Sequence, residues 1–213
     1  MNGKKTLAAA FLLLHALATP AQQVPKQVGD CIIREGTLCA DLDLQGADLR
    51  GANLSNAQFS RTNLAGANLQ GAKLDGANLT RVNLRSADLR GASLDDVELK
   101  GADLTEAKMG NAKLNGANLQ NAFMHGVDAR NAQLRGADFF LAEMEQSKLP
   151  DAKLQRANFR AANLSGASLA GANLRGADFT QANLTNADLR GANIDQANFE
   201  RANTSGCMGC PGR

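Results

Sequence analysis

Apolar residues recur along this chain in a five-residue pattern. From Ala47 to Asn203 the register runs without insertion. The first position of each unit is Ala in 27 of 32 cases, the exceptions being Thr62, Val82, Val97, Val127 and Ser147. The third position is Leu, Phe, Ile or Met in 30 of 31 units, Ala129 alone departing, and the second is Asp or Asn in 20 of 32. An α-helix cannot use this pattern. Five residues advance it by a net of about 140°, so the apolar positions would spread around the whole cylinder. A strand can use it, because positions one to three read apolar, polar, apolar, which is in, out, in at a period of two. Positions four and five must then turn the chain and reset the phase. Gly fills 14 of the 32 fifth positions from Gly46 to Arg201. That placement suits the second central residue of a type II turn, where φ is positive. Pro150 falls at a fourth position, where its fixed φ fits the first central residue.

The units GANLS, GANLQ, GANLT and GADLR resemble the pentapeptide-repeat family, and the pattern covers about three quarters of the chain. The resemblance implies an all-β, right-handed quadrilateral β-helix with four units per coil and first and third side chains inward. The sequence carries its own sign of a 20-residue coil. The Phe residues at third positions are Phe59, Phe139, Phe159, Phe179 and Phe199, all on one face at that stride. The last four predict a ladder of stacked rings inside one wall. The 32 units make about eight coils and, at about 4.8 Å per strand spacing, a rod about 40 Å long. Residues 44–204 are assigned to the solenoid.

The N-terminus reads as a secretory signal over residues 1–21. Lys4 and Lys5 precede an apolar stretch from Thr6 to Ala18, broken by His15, and small residues follow. Cleavage is expected after Ala21, with Ala18 as the alternative. The stretch is shorter than the ~20 residues of a membrane span. Val28-Gly29-Asp30 before Cys31 does not resemble a lipidation site. The chain is therefore expected to be exported, periplasmic or extracellular, and not membrane-spanning. Lys and Arg number 23 against 21 Asp and Glu. The signal holds two lysines and no acid, so the mature charge is zero. That balance favours neither a grip on nucleic acid nor an acidic decoy.

Four cysteines in an exported chain suggest disulfides. Cys31 and Cys39 lie before the rod and Cys207 and Cys210 after it. Cross-rod pairing is excluded, because a disulfide needs Cα atoms within about 7 Å. Cys31–Cys39 is expected to clip an N-terminal cap over residues 22–43. The Cys207-x-x-Cys210 motif admits a terminal staple, loose thiols or a redox pair, and no βαβ context supports the last. The tail, residues 205–213, is short and Gly-rich. Either it folds over the last rung or Phe199 lies open there, for a partner or a second copy to cover.

Catalytic chemistry has little to stand on. His125, the single His after the signal, sits at an outward fourth position with no acid or nucleophile recurring beside it. Carboxylates line the outer faces by periodicity alone. No metal set or cofactor motif is present, and none is expected. Asn53-Leu54-Ser55 and Asn78-Leu79-Thr80 match glycosylation acceptors as by-products of the repeat. Arg50, Arg90, Arg130 and Arg190 share one corner, and Lys73, Lys113 and Lys153 share one wall. Asp48, Asp88, Asp128 and Asp188 lie two positions before those arginines. These rows read as salt-bridged surface or as an anion- or glycan-binding strip. Between Phe123 and Pro150 apolar residues reach outward positions: Phe123 at a second, Phe140 at a fourth and Leu141 at a fifth. They form a candidate contact patch unless a bulge tucks them away. The reading is a non-enzymatic exported scaffold or protein-binding module, serving a protein or another envelope component. Two alternatives are weaker. A DNA-mimicking, gyrase-binding role, which the family resemblance implies for some members, conflicts with the signal and the zero charge. An enzyme would need a cleft, and the register leaves no insertion to build one.

Overall fold

In a computed structural model, residues 26–211 are described; the signal segment lies outside them. The chain winds so that each second position forms a parallel bridge to the residue 20 positions on, from Leu38↔Gln58 to Asp188↔Met208. One unit therefore builds one side of a four-sided coil. Backbone bonds join successive coils in a fixed pattern. The third-position N–H of Leu49 donates to Asn68 O at 2.8 Å, and the Asn68 N–H donates to Ala47 O at 2.9 Å. The fifth position joins the lattice as well, Gly51 N–H donating to Gln70 O at 2.9 Å.

The corners explain the sequence pattern. Within each, the first-position N–H of the next unit donates to the preceding third-position carbonyl, as Ala47 does to Leu44 at 3.0 Å. The residue between them at the fifth position has positive φ throughout, glycine or not: Gly46 at 66°, Arg61 at 59°, Leu141 at 58°. These are the marks of the type II turn that the glycines predict. A non-glycine residue there costs about 1–2 kcal/mol, which the closed lattice offsets. The second-position Asp or Asn closes the corner from outside. Its side-chain oxygen accepts the fourth-position N–H, as Asn83 Oδ1 does from Arg85 at 3.1 Å and Asp103 Oδ1 from Thr105 at 3.0 Å. This is an Asx-turn contact, and it accounts for the preference for those two residues.

The core is a thin column of first-position Ala and third-position Leu or Phe, with no exposed area at most of them. Phe139, Phe159, Phe179 and Phe199 stack with ring centroids 4.7, 4.8 and 4.9 Å apart and interplanar angles of 3°, 2° and 12°. Phe59 is buried on the same wall, lower in the rod. Three buried polar residues enter first positions, Thr37, Thr62 and Ser147, and the Thr37 hydroxyl donates to Ile32 O at 2.6 Å. The Thr62 hydroxyl donates to Cys39 O at 2.5 Å, and the Ser147 hydroxyl has no partner among the described residues.

The rod is longer than its alanines indicate. Gly36 and Asp41 already occupy positive-φ corners, and Cys39 N–H donates to Gln58 O at 2.8 Å. The five-residue register thus starts at Thr37, inside the segment assigned to the cap. The sequence hides this because Thr37 and Leu42 replace Ala at first positions. Among the described residues, what remains of the cap holds a hairpin, β1 (Gln27–Val28) antiparallel to β2 (Cys31–Ile32). At the other end the register runs on to Met208, inside the assigned tail.

Replacing Phe159, the middle of the ladder, with Ala should cost about 3–5 kcal/mol, the usual range for a fully buried ring. Chemical denaturation followed by circular dichroism measures it. Leu141→Ala, at an exposed corner, should cost far less.

Candidate functional site

Where lattice position dictates residue choice, a side chain says little about function, so candidate sites are the departures. Three regions depart: the apolar outward residues, the charged corners and the two ends.

Phe123, Phe140 and Leu141 are 49%, 36% and 45% exposed. The bulge alternative is therefore not what the chain adopts. The backbone keeps register, Phe123 bridging Asp103 and Glu143 and Asn121 N–H donating to Phe140 O at 2.9 Å. Phe140 and Leu141 occupy a corner, and Phe123 lies one rung below on the wall that follows it. Leu141 holds positive φ at 58°, which a bulky side chain rarely adopts. Three further large apolar side chains are exposed that the sequence reading passed over: Ile32, Leu38 and Met208. Extending the register beyond the alanines would have marked Leu38 and Met208 as outward second positions.

The arginine row is neutralised. Arg50, Arg90, Arg130 and Arg190 each contact the Asp two residues before, at 2.8, 2.6, 2.8 and 2.7 Å. The guanidinium of Arg50 and the backbone N–H of the same residue hold the Asp48 carboxyl down to about 2. Arg190 does the same for Asp188, also to about 2. Arg90 holds Asp88 well below the usual carboxylate range, and Arg130 lowers Asp128. These pairs are largely exposed and individually weak. The arginine row is thus salt-bridged surface.

His125 does have an acid beside it, correcting the expectation from sequence. Its Nδ1 lies 2.9 Å from Glu145 Oε2, one rung above. The 20-residue stride from 125 to 145 was the signal that could have found the pair. Glu145 also accepts from Asn163 at 2.5 Å. The pair stands on a half-exposed corner, and the contacts described bring no nucleophile to His125. Among the described residues no cluster of His, Cys, Asp or Glu could hold a metal ion, and no helix is long and apolar enough to cross a membrane.

The ends differ. At the N-terminal end Cys31 is bonded to Cys39, with Cα atoms 5.4 Å apart. Both sulfurs lie in a buried group with Ile33 and Leu44, so the hairpin seals the first coil. At the C-terminal end Cys207 is bonded to Cys210, Cα atoms 5.8 Å apart, which selects the staple among the three readings of that motif. Gly209 between them has φ 79°, and a Cβ there would come within 2.7 Å of the Leu189 backbone. The staple presses against one wall and leaves the rest bare. Ala192, Ile194, Phe199 and Ala202 are only partly buried. The N–H groups of Leu174 and Phe179 donate upward to Asn193 O and Asn198 O, but those of Ile194 and Phe199 have no backbone acceptor among the described residues.

The geometry defines a four-sided β solenoid whose core is covered by a hairpin at one end and lies open at the other. Comparison with known proteins agrees. The model for pentapeptide repeats matches residues 43–81, 83–121, 107–146, 142–181 and 167–206. The chain belongs to the pentapeptide-repeat family, and its fold is the right-handed quadrilateral β-helix of that family. Among solved structures it is similar to HetL of the cyanobacterium Nostoc sp. strain PCC 7120, a pentapeptide repeat protein involved in heterocyst differentiation regulation. That match has 32% identity, covers 81% of this chain and 87% of HetL, and has a TM-score of 0.57. A trypsin-treated form of QnrB1, a plasmid-mediated fluoroquinolone resistance protein, matches at 20% identity, 80% and 87% coverage and a TM-score of 0.65. At that identity the likeness concerns the fold alone. No curated protein matches.

The Asp–Arg pairs carry a pH prediction. A carboxyl whose folded pKa is depressed stabilises the fold above its unfolded value of about 3.9. That contribution disappears as pH falls through the folded value of about 2 for Asp48 and Asp188. Carboxyl chemical shifts should titrate near 2 at both residues, and Arg190→Gln should move Asp188 upward while leaving Asp48 in place.

Proposed function

We propose that the chain is an exported, non-enzymatic scaffold that docks through its open C-terminal rung, with a second copy of itself as the occupant. The observation that carries this reading is the coincidence of two unmet needs on one surface. The last coil leaves Ile194 and Phe199 half-covered, and it leaves the N–H groups of both without backbone acceptors. Such an edge is a ready template for pairing with another chain, and solenoids otherwise close their ends with a polar cap. At the N-terminal end the N–H groups of Leu38, Asp43, Asp48 and Asn53 also have no backbone acceptor among the described residues, but beside the disulfide-clipped hairpin the core residues Leu44, Leu49 and Leu54 are buried, so only one of the two needs is unmet there. Export rests on the Lys4–Ala21 pattern and is supported by the two disulfides, which persist in oxidising compartments. A fluoroquinolone-resistance role such as that of QnrB1 finds less support, because the arginine row from Arg50 to Arg190 is internally paired and the expected mature charge is zero.

Light scattering at rising concentration tests the docking. The wild-type mass should pass from one chain to two, and Ile194→Lys should stay monomeric with its circular dichroism unchanged. Phe123→Ser with Phe140→Ser should dimerise as the wild type does. A monomeric wild type at high concentration contradicts the reading, and loss of the dimer in the second variant moves the interface to the side patch. Sequencing the N-terminus of protein from the cell envelope should find Gln22. A cytoplasmic chain starting at Met1 contradicts export.

A further inference from the structure

The corner that follows the Lys113 and Lys153 wall changes sign along the rod. Its lower rungs carry Asp75, Asp95 and Asp96, and its upper rungs carry Arg135, Arg156 and Arg175. A net charge of only +2 over the whole chain conceals this. The three arginines line a groove of about 570 Å³ spanning successive coils. Arg135 and Arg175 stand at fourth positions and Arg156 at the fifth position of the rung between them, so the three residues alternate between the two corner positions. Gly136 and Gly176 form the floor, open because neither carries a side chain. The Arg156 stem leans on Gly176, its Cγ 3.6 Å from where a Cβ would stand.

These arginines differ from the paired row. None of the ion pairs among the described residues includes Arg135, Arg156 or Arg175. The one side-chain contact among them is neutral, Arg135 Nε donating to Gln155 Oε1 at 3.3 Å. Nearby acids are engaged elsewhere. Asp138 accepts from Gln120 and Asn158, and Asp178 from Thr180 and, at 3.9 Å, the edge of Arg160. Asp195 occupies the fourth position one rung above Arg175 and is not among the residues lining the groove. Lys153 adds a positive charge on the wall entering it. The second groove, at Arg61, Arg81 and Lys100, is weaker in this respect, because Arg61 is bound to Asp41 at 2.6 Å.

We propose that the groove at Arg135, Arg156 and Arg175 binds an acidic polysaccharide, its carboxylate or sulfate groups seated against guanidiniums on successive rungs. Three features favour this ligand. The guanidinium is a planar fork matched to an oxyanion. The rung spacing of about 4.8 Å is close to the length of one sugar ring, so a linear chain lying along the rod presents its charges in step. The Gln155 and Gln196 amides in the groove wall suit hydroxyl groups. A single nucleic-acid strand would be gripped by aromatic platforms as well as charge, and no aromatic side chain lines the groove. The site is separate from the C-terminal rung, and the inference does not rest on docking there.

The test uses the full chain at low ionic strength with heparin fragments as a sulfated probe and oligogalacturonate as a carboxylated one. Both should bind, and neutral dextran should not. Arg156→Gly is the informative variant, since Arg156 sits at φ 59°, where glycine is the favoured residue. It should melt no lower than the wild type, yet bind at least about tenfold more weakly, the loss of one charge-assisted contact. Adding Arg135→Gln and Arg175→Gln should abolish binding. Arg50→Gln with Arg90→Gln and Arg190→Gln removes equal charge and should leave affinity intact. Equal losses in the two triple variants overturn the site, as does failure of both probes to bind. Single-stranded DNA of matched charge that binds as tightly, with the same dependence on the groove arginines, overturns the polysaccharide assignment.

Discussion

Everything in this rod depends on a corner that turns in two residues. Each coil has four such corners, and each needs its fifth-position residue at positive φ, as Gly46 and Arg61 show at 66° and 59°. The turn brings the next strand in at a right phase for its first side chain to point inward. Four turns close the coil, and closure places every second-position residue against its copy 20 positions on. From that one constraint follow the small first-position residue, the Asx contact at the second position and the stacking of like on like, rings included. The lattice must in turn hold Leu141 and Arg156 in a conformation that neither prefers. A regular array of inter-coil hydrogen bonds, each made only with the coils on either side, supplies that support.

The same regularity confines function to places where the lattice stops or is indifferent. It stops at the ends. At one end a hairpin clipped by a buried disulfide covers the core, and the other exposes core and backbone together. It is indifferent at outward corner positions, where any side chain fits the backbone. There the chain carries paired charges on one corner, unpaired arginines on another and a short apolar run at Phe140 and Leu141. A rod of this kind presents separate surfaces along its length without altering its core.

The fold was legible in the sequence because the constraint acts on every unit. Ala at the first position, glycine at the fifth and Phe at a stride of 20 residues are each consequences of the closed coil. Its limits were less legible. Thr37 and Leu42 fill first positions without Ala, so the first coil resembled a cap, while Met208 extends the ladder with a side chain the repeat does not favour. The site was partly legible. The 20-residue stride identified the row that Arg50 begins, and the structure shows those arginines satisfied by their own aspartates. The groove arginines escaped because Arg156 is displaced by one residue from the stride joining Arg135 and Arg175, so no single column contains all three. His125 and Glu145 were in stride and were passed over because their pairing depends on side-chain reach across a rung.

The lattice ends unfinished at its C-terminal rung, where we propose that a second copy completes it. Amide hydrogen exchange measured across a range of protein concentrations tests it most directly. Leu174 and Phe179, whose N–H groups are bonded upward, should stay protected at every concentration. The Ile194 and Phe199 amides should exchange freely in dilute solution and become protected as concentration rises. Protection of Ile194 and Phe199 at every concentration, or at none, would contradict the account.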